Sequence, residues 1–306
     1  MGRQVIVIAG PTCSGKTAIG IKLAKLLNGE VISADSRQIY KYLSIGTAKP
    51  TIEERKQVKH HLIDFLQPDE EYNVCLFEQD SLKIINELFE KNIQPIIVGG
   101  SGLYIKALTE GIFEGAETDE ELRNNLHKRM DELGIEALLN ELKIVDPESA
   151  EKMLPTNYKR IIRALEVFYL TGKTISDFQK EYKREINISF IQFMLNFERE
   201  TLYKRIEKRV DNMINLGLVE EVNNILSLGF NKKMNSLNTV GYKEIFDYLD
   251  NNISLEKAIE LIKRNTRRYA KRQFTWFNGQ KNFIKIDIND NTDINSVINL
   301  IIEKVK

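Results

Sequence analysis

A strand, a glycine-bounded loop and a helix follow one another in VIVIAGPTCSGKT, Val5 to Thr17, and this stretch restricts the fold more than any other. Val5 to Ala9 is apolar and largely β-branched, as a buried strand requires. Gly10-Pro11-Thr12-Cys13-Ser14-Gly15-Lys16-Thr17 then fits G-x-x-x-x-G-K-[ST], and Ala18 to Leu27 continues as an amphipathic helix. The two glycines let the backbone curl so that its N–H groups point into an anion-sized concavity, and the helix N-terminus adds partial positive charge. Lys16 can reach a terminal phosphate, and the Thr17 hydroxyl is placed to bind Mg²⁺. The stretch predicts an α/β protein: a P-loop NTPase-like parallel sheet core flanked by helices. It does not say which phosphate compound is held.

Composition narrows the class. A chain of 306 residues with 42% hydrophobic content can bury one large core or two smaller ones. No apolar run approaches the roughly 20 residues that span a bilayer, so a cytoplasmic protein without membrane contact is expected. Cys13 and Cys75 have no metal-like spacing, and neither a disulfide nor zinc is expected. Net charge is zero, yet residues 263 to 272 hold six basic side chains and no acidic one.

Glu30 to Ala34 reads as a second strand ending at Asp35-Ser36-Arg37-Gln38, at the same carboxyl edge as the P-loop. Asp35 there is either a helix N-cap or a functional carboxylate, and the local sequence leaves both open. Ile45 to Pro50 is a loop. His60 to Phe65 reads as a strand on which the adjacent His60 and His61 point to opposite faces, which suits structural histidines better than a metal site. Pro95 to Gly102 has the apolar run of a Walker-B strand, but Gly99 and Gly100 stand where an acid normally serves Mg²⁺. Ser101 either donates to a ligand or caps the helix beginning at Leu103.

From about Glu114 charged amphipathic helices run to about Arg184. They predict an inserted all-helical domain, 115–185, between core segments 1–114 and 186–306. Its cationic cluster, Lys159-Arg160-Ile161-Ile162-Arg163, reads locally as a solvated helix face. Ile188 to Phe197 is a strand that rejoins the sheet. A long helix from Arg199 to Leu226 carries Arg205 and Arg209 four residues apart on one face. Thr239 to Glu244 is a loop. The helix Leu255 to Trp276 turns Ile259, Ile262 and Tyr269 inward and six cations outward, a stripe suited to a phosphate backbone. The Asn- and Asp-rich tail after Asp287 reads as peripheral.

In GPTCSGKT, ISADSRQIY, IGTAKP, IIVGGSGLY, RALEVF, TVGYKE and RRYAKRQFTW the chain closely resembles the tRNA dimethylallyltransferases (isopentenyl-tRNA transferases) over nearly its whole length. The resemblance implies transfer of a dimethylallyl group from its diphosphate to N6 of the adenosine at position 37, beside the anticodon of a tRNA. It implies that Gly10 to Thr17 hold the prenyl diphosphate, with Mg²⁺ on Thr17, which accounts for the missing Walker-B acid. Asp35 matches the base, Arg209 (with Arg205 as second choice) the leaving-group cation, and Ser101 a position near the target nucleotide. Contacts to the anticodon stem-loop fall on Asp35, Ser36, Arg37, Gln38, Ser101, Arg123, the run Lys159 to Arg163, Gly241, Tyr242, Lys243, Arg267, Arg268 and Lys271. The target adenine must leave its stack to reach such a pocket. A monomer is expected. The rival readings are a P-loop small-molecule or nucleoside kinase, an adenylate isopentenyltransferase acting on free AMP, and a nucleotide-gated RNA-binding protein in which Asp35 is only a cap.

Overall fold

The structure, a computed structural model, describes residues 3–111, 119–181, 184 and 186–305. It divides into two compact units, one formed by Met1–Thr109 with Asn187–Lys306 and the other by Glu110–Ile186. The expected domain limits, after residue 114 and after residue 185, fall on residues outside the described set.

The first unit is built on a wholly parallel sheet. Its strands are β1 (Gln4–Ala9), β2 (Gly29–Ala34), β3 (His60–His61), β4 (Gln94–Gly99), β5 (Ser189–Phe197) and β6 (Phe283–Ile288), ordered β3-β2-β4-β1-β5-β6. In β1 the strand period of two sends Ile6 and Ile8 to one face and Val5, Val7 and Ala9 to the other, and all five are fully buried. Both faces are covered, as parallel sheets require. The first helices of the unit are α1 (Lys16–Leu26), α2 (Ile52–Gln57), α3 (Val74–Glu90) and α4 (Gly102–Glu110). Residues of α1 pack on the Ile6 face, whereas Phe77 and Ile85 of α3 and Tyr104, Ile105 and Leu108 of α4 pack on the Val7 face.

The helical unit holds α5 (Glu120–Leu133), α6 (Ile135–Val145), α7 (Pro147–Glu151), α8 (Tyr158–Thr171) and α9 (Ile175–Glu181). Leu126, Leu138, Leu142, Ile161 and Leu165 fill its own core. Back in the first unit come α10 (Arg199–Asn215), α11 (Leu218–Ser227), α12 (Tyr242–Leu249), α13 (Leu255–Asn278) and α14 (Ile294–Val305).

The carboxyl-terminal part departs from the sequence expectation in three places. The long helix breaks at Gly217, whose φ of 94° lies in the left-handed region, and becomes α10 and α11. The expected loop at Thr239 to Glu244 is helical from Tyr242, with the Glu244 carboxylate accepting the Gly241 amide at 2.8 Å. The tail after Asp287 is not peripheral: Val297, Ile298 and Ile301 of α14 are buried against the Ile6 face of the sheet, behind β6, which pairs with β5 just before it. Burial of that apolar stripe outweighs the polar composition around it. Among the described residues no helix is long and apolar enough to cross a membrane.

Candidate active site

At the carboxyl ends of β1, β2 and β4 the first unit encloses a cavity of about 1080 Å³, walled by the P-loop, the turn after β2, the 44–51 loop, α10 and α13. The P-loop takes the shape its glycines allow. Gly10 has φ 151°, and a Cβ there would come within 2.9 Å of the Leu195 carbonyl oxygen; Gly15 has φ 84°. Lys16 Nζ donates to the Pro11 carbonyl at 2.6 Å. Burial pushes its pKa down to about 8; Arg209 lowers it too, whereas Cys13 and Asp35 pull it upward. Thr17, at the start of α1, lines the cavity.

Arg209 reaches this loop from α10. Its Nη1 donates to Thr12 Oγ1 at 3.0 Å and lies 3.7 Å from Cys13 Sγ, and its Nη2 is 3.5 Å from the Thr47 carbonyl. Arg205 is engaged elsewhere: Nε pairs with Asp290 at 2.5 Å and the guanidinium stacks 4.3 Å over the Phe197 ring, leaving one long bond to the Cys13 carbonyl. Geometry therefore separates two arginines that the sequence could not.

Asp35 lines the cavity and directly follows β2. Its Oδ1 accepts the Arg37 amide at 2.9 Å and the Gln38 amide at 3.3 Å, closing a turn rather than capping a helix. Oδ2 accepts no hydrogen bond among the described residues and remains available as an acceptor. Ser101 does not belong to the wall; its Oγ accepts the Ser36 amide at 3.0 Å and so ties the β4–α4 turn to the β2 turn. It therefore supports the Asp35 turn.

Several expected contact residues also hold the cavity walls together. The Gln38 amide donates to the carbonyls of Thr47 and Ala48, both at 3.2 Å, so its side chain joins two loops. Tyr242 is fully buried and donates its hydroxyl to Glu221 Oε1 at 2.7 Å. That carboxylate also accepts the amides of Ser44, Ile45 and Gly46, at 2.8 to 3.1 Å, and shapes the 44–51 loop. Gly46 must be glycine, because a Cβ would sit 2.4 Å from the Tyr242 ring. Gly241 is buried but borders the cavity, as does the exposed Lys243. His60 Nδ1 lies 2.8 Å from the Val58 carbonyl oxygen and His61 Nε2 2.5 Å from Glu30, and His60 also borders the cavity.

The basic stripe on α13 is divided. Lys263 pairs with Asp211 and Arg267 with Glu207, at 2.6 and 2.7 Å, which fastens α13 to α10. Arg264, Arg268, Lys271 and Arg272 stand exposed, and Arg272 borders the cavity. Tyr269 also faces the cavity and not the core. In the helical unit Ile161 and Ile162 belong to the core, because a run of five consecutive residues spans more than one helical turn and cannot face one way. Lys159 and Arg160 are exposed. Arg123 and Arg163 both donate to the buried Glu166 carboxylate, at 2.9 and 2.7 Å.

The sequence reading missed Gln273. This buried side chain accepts the Thr12 amide at 2.8 Å and donates to the Gly100 carbonyl at 3.0 Å, joining the P-loop to the end of β4. Nothing local marks it within a basic helix.

Residues 38–280 match the family model described as IPP transferase. A tRNA dimethylallyltransferase of Pelotomaculum thermopropionicum is 46% identical over 96% of this chain and 93% of its own length. Its counterpart in Thermotoga sp. strain RQ2 is 50% identical over 92% of this chain and 91% of its own. The tRNA isopentenylpyrophosphate transferase of Bacillus halodurans superimposes with a TM-score of 0.72 at 40% identity, over 99% of this chain and 97% of that one. A eukaryotic dimethylallyltransferase, solved as crystallographic snapshots of its action on tRNA, gives 0.80 at 30% identity over 94% of this chain and 74% of that one. With these relatives and the P-loop, Asp35 and Arg209 on one cavity, the chain belongs to the tRNA dimethylallyltransferase (IPP transferase) family.

Proposed function

We propose that this chain transfers the dimethylallyl group of dimethylallyl diphosphate to N6 of adenosine 37 in tRNA, giving N6-dimethylallyladenosine and diphosphate. We further propose that it acts as a cytoplasmic monomer. The observation that carries this reading is the joining of Arg209 to the P-loop through Thr12, with Asp35 on the same cavity.

The allylic carbon–oxygen bond breaks, its electron pair leaves with the diphosphate, and the N6 lone pair forms the new carbon–nitrogen bond. Charge therefore gathers on the leaving oxygens, where the P-loop amides, Lys16 and Arg209 are aimed. Asp35 orients the amine through Oδ2 and accepts its proton. Mg²⁺ fits the donor set: Thr17 offers one hydroxyl, and this ion normally takes one or two protein ligands alongside substrate phosphates and water. When bound by Thr17 it would neutralise charge on the diphosphate.

The kinase reading fits less well. Gly99 and Gly100 close β4, and a Cβ at Gly99 would lie 2.1 Å from the Ala34 carbonyl oxygen, so no Walker-B acid can be seated there. Dimethylallyl diphosphate should bind more tightly than ATP in competition calorimetry, and an incubation offering tRNA and AMP together should label the tRNA. Tighter ATP binding with turnover to ADP, or label on AMP alone, overturns the proposal.

Lys16 gives a pH signature. With its pKa at about 8, the free enzyme loses this charge as pH rises past that value, and bound diphosphate restores it by proton uptake. Affinity for dimethylallyl diphosphate should be flat below that point and fall above it, by up to about tenfold per pH unit. Lys16→Met should bind more weakly and lose the slope.

The exposed cations would hold the flanking RNA, Lys159 and Arg160 on the helical unit and Arg264, Arg268 and Lys271 on α13. Replacing Arg268 and Lys271 with Ala should weaken tRNA binding and flatten its salt dependence by about 0.7–0.9 in logarithmic slope per cation. Prenyl diphosphate binding should be unchanged. Arg267→Ala should alter the slope less, because Glu207 already neutralises it.

A further inference from the structure

Gln273 lies on the same cavity as the P-loop, within the RRYAKRQFTW stretch, and the sequence alone gives it no role. Its side chain is 7% exposed and meets two backbone groups, accepting from the Thr12 amide at 2.8 Å and donating to the Gly100 carbonyl at 3.0 Å. One partner is a donor and the other an acceptor, so the site requires a neutral amide. A carboxylate would set a second acceptor against the Gly100 carbonyl, and an aliphatic side chain would leave the buried Gly100 carbonyl and the half-buried Thr12 amide without this partner. Gly100 is matched to it: a Cβ there would lie 2.5 Å from Gln273 Nε2. The space beside the strand end, where a Walker-B side chain would begin, is thus held by an amide from α13.

Thr12 connects this bridge to Arg209. Its backbone N–H is committed to Gln273, which fixes the orientation of the residue, and its Oγ1 accepts Arg209 Nη1 at 3.0 Å. Guanidinium, threonine hydroxyl, glutamine amide and the β4 carbonyl form one chain of contacts.

We propose that Gln273 is a positioning residue: through Thr12 it holds Arg209 in register with the P-loop so that this cation meets the leaving diphosphate. The role rests on the reading of Arg209 given above. Because the charge on the leaving group peaks after the bond begins to break, a misplaced Arg209 costs more in kcat than in KM.

Gln273→Leu should lower kcat for transfer about tenfold or more with KM for dimethylallyl diphosphate within about threefold, and weaken inorganic diphosphate about tenfold in calorimetry. In an Arg209→Ala background the same substitution should change either quantity by less than about twofold, because residues acting as one unit are not additive. Gln273→Glu should be impaired at neutral pH and recover relative to the parent as pH falls from about 8 to about 6, since the protonated carboxyl regains a donor for the Gly100 carbonyl. Equal losses with and without Arg209, or a Glu variant whose deficit does not change with pH, overturn the assignment. Should the parent bind diphosphate but transfer no dimethylallyl group, the reaction is wrong, and the diphosphate coupling between Gln273 and Arg209 still decides the positioning role. Thermal melts of all variants identify any that fail to fold, and for those Gln273→Glu and its pH dependence decide.

Discussion

Asp35→Asn should slow the chemical step by about 10²–10⁴-fold, the range of a positioned general base. The substitution is nearly silent for structure. Oδ1 remains to accept the Arg37 and Gln38 amides, so the turn after β2 stays closed. What changes is Oδ2, which becomes an NH₂ group able to donate but not to accept the N6 proton. Binding of dimethylallyl diphosphate should be preserved, because Asp35 makes no hydrogen bond to the P-loop. Single-turnover transfer on a preformed complex, with a thermal melt alongside, measures both. A variant that folds normally and transfers at the parent rate would make Asp35 a turn residue only.

Arg209→Ala carries the second large effect. Removing a preorganised donor aimed at developing charge costs about 10²–10³ in kcat. Arg205→Ala should cost under about tenfold, because that guanidinium is already paired with Asp290 and stacked on Phe197. Steady-state transfer with dimethylallyl diphosphate varied gives both numbers. The reverse ranking would move the leaving-group role to Arg205 and detach Gln273 from it.

The difference between these arginines shows where sequence reasoning stops. Both lie on one face of α10 four residues apart, and periodicity alone leaves either free to meet the P-loop. Tertiary partners decide, and Asp290 follows a strand, β6, for which the sequence reading had no expectation. FIKIDI is short and alternating at a sheet edge, and the apolar stripe of α14 follows directly on an Asn- and Asp-rich stretch. The core was legible because its signals are local: a β-branched run, two glycines, a lysine and a helix. Contact segments carried over whole from the resemblance mix buried and accessible side chains. Ile161, Ile162 and Tyr242 face inward, as helical period and aromatic size favour, Ser101 accepts from the neighbouring turn, and Gln38 borders the cavity while its amide joins two loops. Gln273 was invisible for the opposite reason. Its partners, Thr12 and Gly100, lie far from it in the chain, and a glutamine in a basic helix carries no signal of them.

Mass analysis of nucleosides tests the central claim most directly. Unmodified tRNA incubated with the protein, Mg²⁺ and labelled dimethylallyl diphosphate should yield, after digestion, a labelled N6-dimethylallyladenosine that maps to the position beside the anticodon. Equimolar diphosphate should appear with it. Label that remains entirely in the small-molecule fraction, or that lands on another nucleotide, would contradict the account.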